Sequence, residues 1–297
     1  MNHTTALVSC FARAFHFQNN QTHIFSDPAA YPLLKDDYAG IAQHMTEGIS
    51  YFLPGFTGSP EEGLRQIVDR QLSPSVLGRS AFCEQMLKEA VTDGCEQYLM
   101  LAAGYDTFEI RNPFSSLSVF EADLPDLLAD KRKRMQNAGL HTSAVSVPCD
   151  LSDPQWVKTL QEAGFDCCRQ TFVSLLGISY YLAHDSFLTL LSLLGRLLAE
   201  RSQLCFDVPV KEEGREARIR RELAQEAGEP MKAQYSTAEL LTMLKQCSFE
   251  LQLLLTPEQM TELYFSAYNT ANPDHRILAP EGVFYLLAER KKGTEKA

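Results

Sequence analysis

Three carboxylates stand at the ends of three successive short apolar runs. The run QYLMLAA closes on Ala102-Ala103-Gly104-Tyr105-Asp106, LSVFEA closes on Glu121-Ala122-Asp123, and AVSVPC closes on Cys149-Asp150-Leu151. Small residues at the first ending let backbone N–H groups and a helix N-terminus approach a ligand closely. Asp123 follows Gly104 by nineteen residues, close to the spacing at which an acid meets a ribose hydroxyl in nucleotide-binding βαβ units. Each acid alone has a plain alternative as a helix cap. As an ordered set they suit a ligand that carries ribose hydroxyls, an adenine amino group and a positive centre. Phosphate is poorly served. A dinucleotide turn wants GxGxxG, whereas Ala102 holds the first glycine position here, with Phe108 and Glu109 beyond it, which discourages a nicotinamide oxidoreductase.

Such endings need a parallel sheet to present them. From Gln97 onward apolar runs alternate with helical patterns, continuing through QTFVSLLG and SQLCFDV. That is the rhythm of βαβ units, whose ligands sit beyond the carboxyl ends of the strands. Leu124, Leu127, Leu128, Lys131 and Met135 fit one helical stripe, and Phe187, Leu190, Leu191, Leu194, Leu197 and Leu198 fit a stronger one; both are expected to pack on the sheet. The first ninety or so residues read as helical, around Leu7 to Phe17 and Val76 to Val91, with turn chemistry at Asp27-Pro28 and from Pro54 to Pro60. This predicts a segmented helical cap over 1–93 and a core over 94–297. The charged stretch after Pro209 reads as an exposed helical insertion near 210–235. A helix at Ser236 to Gln246, a strand at Phe249 to Leu255, a helix near Glu258 to Phe265 and a strand at Gly282 to Glu289 complete the pattern. The expected fold is α/β: a seven-stranded, mostly parallel, doubly wound sheet with an N-terminal helical cap.

Composition narrows the function. A net charge of −11 over 297 residues argues against a general affinity for nucleic-acid phosphates and leaves a small-molecule substrate as the expectation. No run approaches the roughly 20 apolar residues of a membrane span, and the N-terminus lacks the pattern of a secretion signal, so the cytoplasm is the expected compartment. The eight cysteines form no CxxC pair and no zinc spacing, which gives no metal site. Most read as buried thiols, and Cys167-Cys168 as a loop carrying two small residues rather than a redox device. The basic end ERKKGTEKA reads as a solvated tail.

Over most of its length the chain resembles the leucine carboxyl methyltransferase family, including its bacterial polyketide O-methyltransferase-like branch. LAAGYDTFEIR is similar to that family's L-G-A-G-x-D-T-x-x-x-R, VFEADLPDLLADK to its F-E-x-D-x-P-x-x-x-x-x-K, and VPCDLSD to its acidic third-strand end. The resemblance implies the seven-strand methyltransferase fold and S-adenosylmethionine as cofactor. On that reading Ala102, Gly104 and Asp106 line the cofactor turn, Asp123 holds the ribose, and Asp150 with Leu151 flanks the adenine. SVLGRSAFCEQML resembles the segment that sets an arginine against the carboxylate of the cofactor's methionine part. Arg79 is the match, and a guanidinium fork suits the task through paired charge-assisted hydrogen bonds. Arg13 is the nearest candidate for a second basic position, against the alternative of an exposed arginine on an outer helix face.

Two departures stand out. Ala102 replaces the first glycine of the turn, a small change that the backbone is expected to absorb. In LLGISYYL, Leu176 stands where the family carries a glutamate at the end of its fourth strand. Tyr180 and Tyr181 keep an aromatic, hydrogen-bonding edge there, so these three residues are the candidates for the acceptor site. The family's other branch methylates the C-terminal leucine of a protein phosphatase subunit; the change at Leu176 points instead to a small-molecule acceptor. A carboxylate acceptor needs no base at pH 7, whereas a hydroxyl usually does. His184 could serve, but reads more simply as a loop or helix-capping histidine, so no general base is assigned. The expected activity is O-methylation of a small-molecule carboxylate or hydroxyl. The alternative is an inactive cofactor-binding or regulatory module of the same fold.

Overall fold

The computed structural model describes residues 3–210, 219, 222 and 233–291. Five strands run parallel: β1 (Gln97–Leu101), β2 (Ser118–Asp123), β3 (Val145–Pro148), β4 (Thr171–Leu175) and β5 (Gln203–Pro209). β6 (Phe249–Leu255) and β7 (Val283–Arg290) close the sheet in the order β3-β2-β1-β4-β5-β7-β6, with β7 antiparallel to both neighbours. β1, β4 and β5 are buried on both faces, as parallel strands covered by helices on both sides are. The direction of winding reverses between β1 and β4, which puts the switch-point crevice where the first acidic endings converge. The predicted α/β fold and seven strands are observed.

The helices before the sheet are α1 (Thr4–Asn19), α2 (Ala30–Glu47), α3 (Ile49–Phe52), α4 (Pro60–Ile67) and α5 (Ser73–Thr92). Ser59 opens α4 with a reciprocal capping box to Glu62, and Pro60 sits at the first turn, where its missing N–H costs nothing. α1, α2 and α4 share a core built on Phe11, Phe15, Leu33, Leu34 and Ile67. α5 instead lies on the sheet, where Leu77, Phe82 and Leu87 join the core that holds Tyr98, Phe172 and Tyr285. After β1 come α6 (Phe108–Arg111), α7 (Pro125–Asn137), α8 (Trp156–Glu162), α9 (His184–Leu197) and α10 (Thr237–Gln246). The leucine stripe of α9 packs with Trp156 and Met243 on the other face of the sheet. The charged insertion near 210–235 falls mostly outside the described residues; Ile219, which is described, is buried in the core of α1, α2 and α4. Of the segment expected as a solvated tail, Glu289 and Arg290 instead end β7, where Arg290 Nε donates to the Gly195 carbonyl at 2.5 Å, and 292–297 lie outside the described residues.

Candidate active site

The carboxyl edge of the sheet presents, in spatial order, Asp150 after β3, Asp123 ending β2, the Ala102–Asp106 turn after β1, Leu176-Gly177 after β4 and Asp207 near the end of β5. The turn and Asp123 are locked together. The Gly104 N–H donates to Asp123 Oδ2 at 2.7 Å, and the Leu124 N–H donates to Oδ1 at 2.7 Å. Burial raises the Asp123 carboxyl above its ordinary value, and those two N–H groups pull it back down. An ionised carboxylate offers about four lone-pair positions, so this one retains acceptor capacity beyond its two backbone donors.

Gly104 adopts φ +53° and Ala102 adopts φ +54°. The left-handed region is open to glycine and costs an L-residue roughly 1–2 kcal/mol. The turn therefore asks for glycine at the position Ala102 fills, and the backbone keeps that conformation under strain instead of absorbing the change. Asp106, partly exposed, accepts the Phe108 N–H at 2.7 Å and so fastens the start of α6.

The remaining motif residues of this side tie the turn to the cap. Asp27 is fully buried; it accepts from Arg13 Nε at 2.8 Å and from the Thr107 hydroxyl at 2.6 Å, with Arg111 Nε at 3.4 Å. Burial alone would raise the Asp27 carboxyl, but the two guanidinium groups and the hydroxyl outweigh it and hold it below the usual carboxylate range. Arg13 is buried, not exposed on an outer face: besides Asp27 it donates to the Tyr105 carbonyl at 2.7 Å and the Ser9 carbonyl at 3.4 Å. It braces the turn from behind. Glu121 and Lys131, also inside the second motif, form a buried ion pair at 2.8 Å that pins α7 to β2. The sequence reading missed Asp27, taking Asp27-Pro28 for a turn alone; its signal was the pairing of Thr107 and Arg111 in the motif, which needed a partner.

The other side of the crevice is organised by a second residue that sequence reasoning missed. Asp207 is fully buried, and its Oδ1 accepts the Gly177 N–H at 2.6 Å while Oδ2 accepts the Tyr180 hydroxyl at 2.9 Å. The Ser179 hydroxyl donates to the Asp207 carbonyl at 2.6 Å. Arg79 of α5 reaches over the end of β4, with Nη1 3.8 Å from Asp207 Oδ2 and Nη2 3.3 Å from the Ser9 hydroxyl of α1. Gly177 has φ +69°, and a Cβ there would stand 2.4 Å from Arg79 Nη1, so the guanidinium lies directly on bare backbone. Burial, then the Asp207 charge, pushes the Tyr180 phenol well above its ordinary value. A carboxylate inside the apolar run LCFDV was the available signal.

Leu176 and Tyr181 are partly buried, and Tyr180 is buried beside Tyr181 with ring centroids 6.2 Å apart. His184 is the first residue of α9, half exposed, and stacks at 5.8 Å on Tyr235. Asp150 is exposed and accepts the Ser152 N–H at 2.8 Å. Leu151 lines, with Ser152, Leu182, Ser186, Leu190 and Leu193, a cleft of about 200 Å³ between the β3 ending and α9. Six of the eight cysteines are buried. Among the described residues, Asp166, Cys167 and Cys168 are the one group whose ligand atoms converge, within 4.8 Å; all three are exposed, in the loop that leads into β4. No described helix is long and apolar enough to cross a membrane.

Comparison with known proteins bears on the family and the fold. A Bacillus subtilis (strain 168) protein named as an S-adenosyl-L-methionine-dependent methyltransferase, YktD, is 31% identical over 302 residues, covering 97% of each chain. A Mycolicibacterium paratuberculosis protein with the same class of name is 35% identical over 134 residues, or 44% of this chain and 42% of that one. The fold is shared with a crystal structure described as a methyltransferase from Thermobifida fusca YX (TM-score 0.59, 15% identity, 97% of this chain and 94% of that chain). It is shared also with a DUF574 family protein from Streptomyces avermitilis (TM-score 0.55, 15% identity, 95% and 97%). Residues 6–195, from α1 through most of α9, match the leucine carboxyl methyltransferase family, and the chain belongs to that family of S-adenosylmethionine-dependent methyltransferases.

Proposed function

We propose that this methyltransferase acts on an oxygen of a small molecule, and that a carboxylate is the favoured acceptor. The observation that carries this reading is the use of the Tyr180 hydroxyl: its proton is committed to Asp207 and its pKa is pushed well above the ordinary phenol value. A phenol so held does not take a proton from an acceptor hydroxyl at pH 7. His184 is half exposed and stacked on Tyr235, which makes it a helix-start residue on this reading, not a base. An acceptor carboxylate is already ionised at that pH and asks for none.

The chain's own residues fit the cofactor. Asp123 has acceptor positions left for ribose hydroxyls, and Gly104, with Ala102 and Asp106 shaping its turn, brings backbone close. Leu151 lines the cleft beside α9 that would take the adenine, with Asp150 preceding it at the end of β3. Arg79 offers its fork to the methionine carboxylate from above Gly177, and Arg13 braces the turn from the cap side. S-Adenosylmethionine, when bound, supplies a methyl group on a positive sulfur that needs no activation by a side chain. The protein's task is to hold the acceptor oxygen in line at about 3–3.5 Å, with Leu176 and Tyr181 as the surface that does so. The inactive-module reading is not favoured, because the missing fourth-strand acid is answered by Asp207 on the next strand.

Calorimetry with S-adenosylhomocysteine, followed by transfer of labelled methyl to a panel of carboxylic acids and phenols, tests this. Binding with transfer to acids is expected. Absence of binding heat would sink the cofactor site, and transfer confined to phenols would sink the carboxylate preference.

A further inference from the structure

We propose that Asp207 is a positioning residue for cofactor binding: from β5 it holds Arg79 in place over Gly177, doing from the neighbouring strand what a carboxylate at Leu176 would otherwise do. The inference rests on the reading of Arg79 as the partner of the methionine carboxylate.

The geometry points this way in three steps. Arg79 extends from α5 across the end of β4, with 16% of its side chain exposed. Its underside is bare backbone, since a Cβ on Gly177 would come within 2.4–2.8 Å of three guanidinium atoms. Leu176, at the position of the expected acid, is apolar and makes no charge contact. The carboxylate that faces the guanidinium is Asp207, 3.8 Å from Nη1, and that carboxylate is itself fixed by the Gly177 N–H at 2.6 Å and the Tyr180 hydroxyl at 2.9 Å.

One group therefore orders both the floor under the fork and the charge behind it. An ion pair at 3.8 Å is too long to saturate a fork with five N–H donors, so Arg79 keeps donors for a ligand while its direction is set. Full burial of Asp207 also means its charge is little screened by water. A residue that long and flexible otherwise loses rotamer freedom on binding; fixing it beforehand favours the ligand. The part of the ligand affected is the amino-acid end alone.

That last point supplies the test. S-Adenosylhomocysteine carries the amino-acid carboxylate, and 5′-methylthioadenosine lacks it while keeping adenine and ribose. In Asp207→Asn the affinity for S-adenosylhomocysteine is expected to fall about tenfold, the size of one loosened charge-assisted hydrogen bond, while that for methylthioadenosine stays within about twofold of the parent. Asp207→Glu should recover part of the loss. In an Arg79→Ala background Asp207→Asn should cost nothing further. Heats are scaled to the folded fraction measured by thermal unfolding. Equal losses for both ligands, or none for either, overturn the proposal and leave Asp207 as a packing residue. Should the Asp207 variants not fold, Gly177→Ala displaces the fork without removing the carboxylate, and its failure to show the same selective loss overturns the proposal. If Arg79→Ala itself leaves the discrimination between the two ligands unchanged, the reading of Arg79 fails. If the parent protein binds neither ligand, the cofactor site fails.

Discussion

The two sides of the crevice are held by different means. On the β1–β2 side the turn is fastened by charged groups supplied from the cap: Asp27 gathers Arg13, Thr107 and Arg111, and Glu121 with Lys131 anchors the helix that follows. On the β4–β5 side one buried carboxylate, Asp207, does the fastening from within the sheet, and Arg79 of α5 links it to Ser9 of α1. The difference teaches what a motif is made of. Of the residues that match the family on the first side, Gly104 and Asp123 face the crevice, whereas Thr107, Arg111, Glu121 and Lys131 are scaffolding. On the second side Leu176 is apolar, and the buried carboxylate is Asp207 on the adjacent strand.

The sharpest way to break this comparison is to remove the first hub. Asp27→Ala leaves Arg13 buried without its carboxylate, and breaking a buried pair in this way costs about 3–5 kcal/mol. Urea denaturation should show a loss of that size, and a change under about 1 kcal/mol would mean the cap is not fastened through Asp27. A smaller effect sharpens the account of the turn itself. Ala102→Gly relieves about 1–2 kcal/mol of left-handed strain against about 0.4–1 kcal/mol of added chain entropy in the unfolded state. A net gain between about 0 and 1.6 kcal/mol is expected, seen as a rise in Tm; a loss would place the turn's φ elsewhere in solution.

Much of this was legible in sequence, for a physical reason. The strands β1, β4 and β5 are largely apolar runs because both of their faces are covered, and such runs announce themselves even with Asp207 inside one of them. The meeting of Gly104 with Asp123 has a local trace, because a bare backbone and an acid recur at a fixed spacing across one βαβ unit, whereas Arg79 was singled out only by the resemblance of its segment to the family. Asp27 and Asp207 were not legible. Each meets partners from several elements, at separations of 14 and 80 residues for Asp27 and of 27 and 30 for Asp207, and no local pattern records such meetings. Arg13 was found for its charge and placed by the fold in the interior, where its partners lie.

A further expected effect concerns pH and the contact between α1 and Tyr268, which lies between β6 and β7 in the chain. His16 packs on Tyr268 with ring centroids 5.0 Å apart, and its Nε2 accepts the Ile24 N–H at 2.9 Å. Burial first, then His23 and Arg65, pushes His16 from 6.5 down to about 3. Its folded value lies below its unfolded one, so its contribution to stability is complete above about pH 6.5 and is lost as pH falls toward 3. Asp69, raised by burial against Arg65 from 3.8 to about 6, acts in the opposite sense. As pH falls from about 6 to about 4 the folded state gains a proton there that the unfolded state does not, and stability rises. The two nearly cancel in the parent protein over that window. Asp69→Asn should uncover the His16 loss as a slope of about 1.4 kcal/mol per pH unit in urea midpoints between pH 6 and 4. A slope no steeper than the parent's would show that His16 titrates normally.

The way α1 lies across the strand ends also bears on handling the protein. The Ala6 methyl stands 3.6 Å from where a Cβ of Gly104 would be, Ser9 touches Arg79, and His3 lies 3.6 Å from Asp126 at the start of α7. β7, by contrast, runs to Arg290 at the far edge, where Glu289 pairs with Gln203 at the beginning of β5. A fluorophore placed on His3 would crowd the mouth of the crevice, whereas one placed on Lys291 would sit at the opposite pole, clear of it.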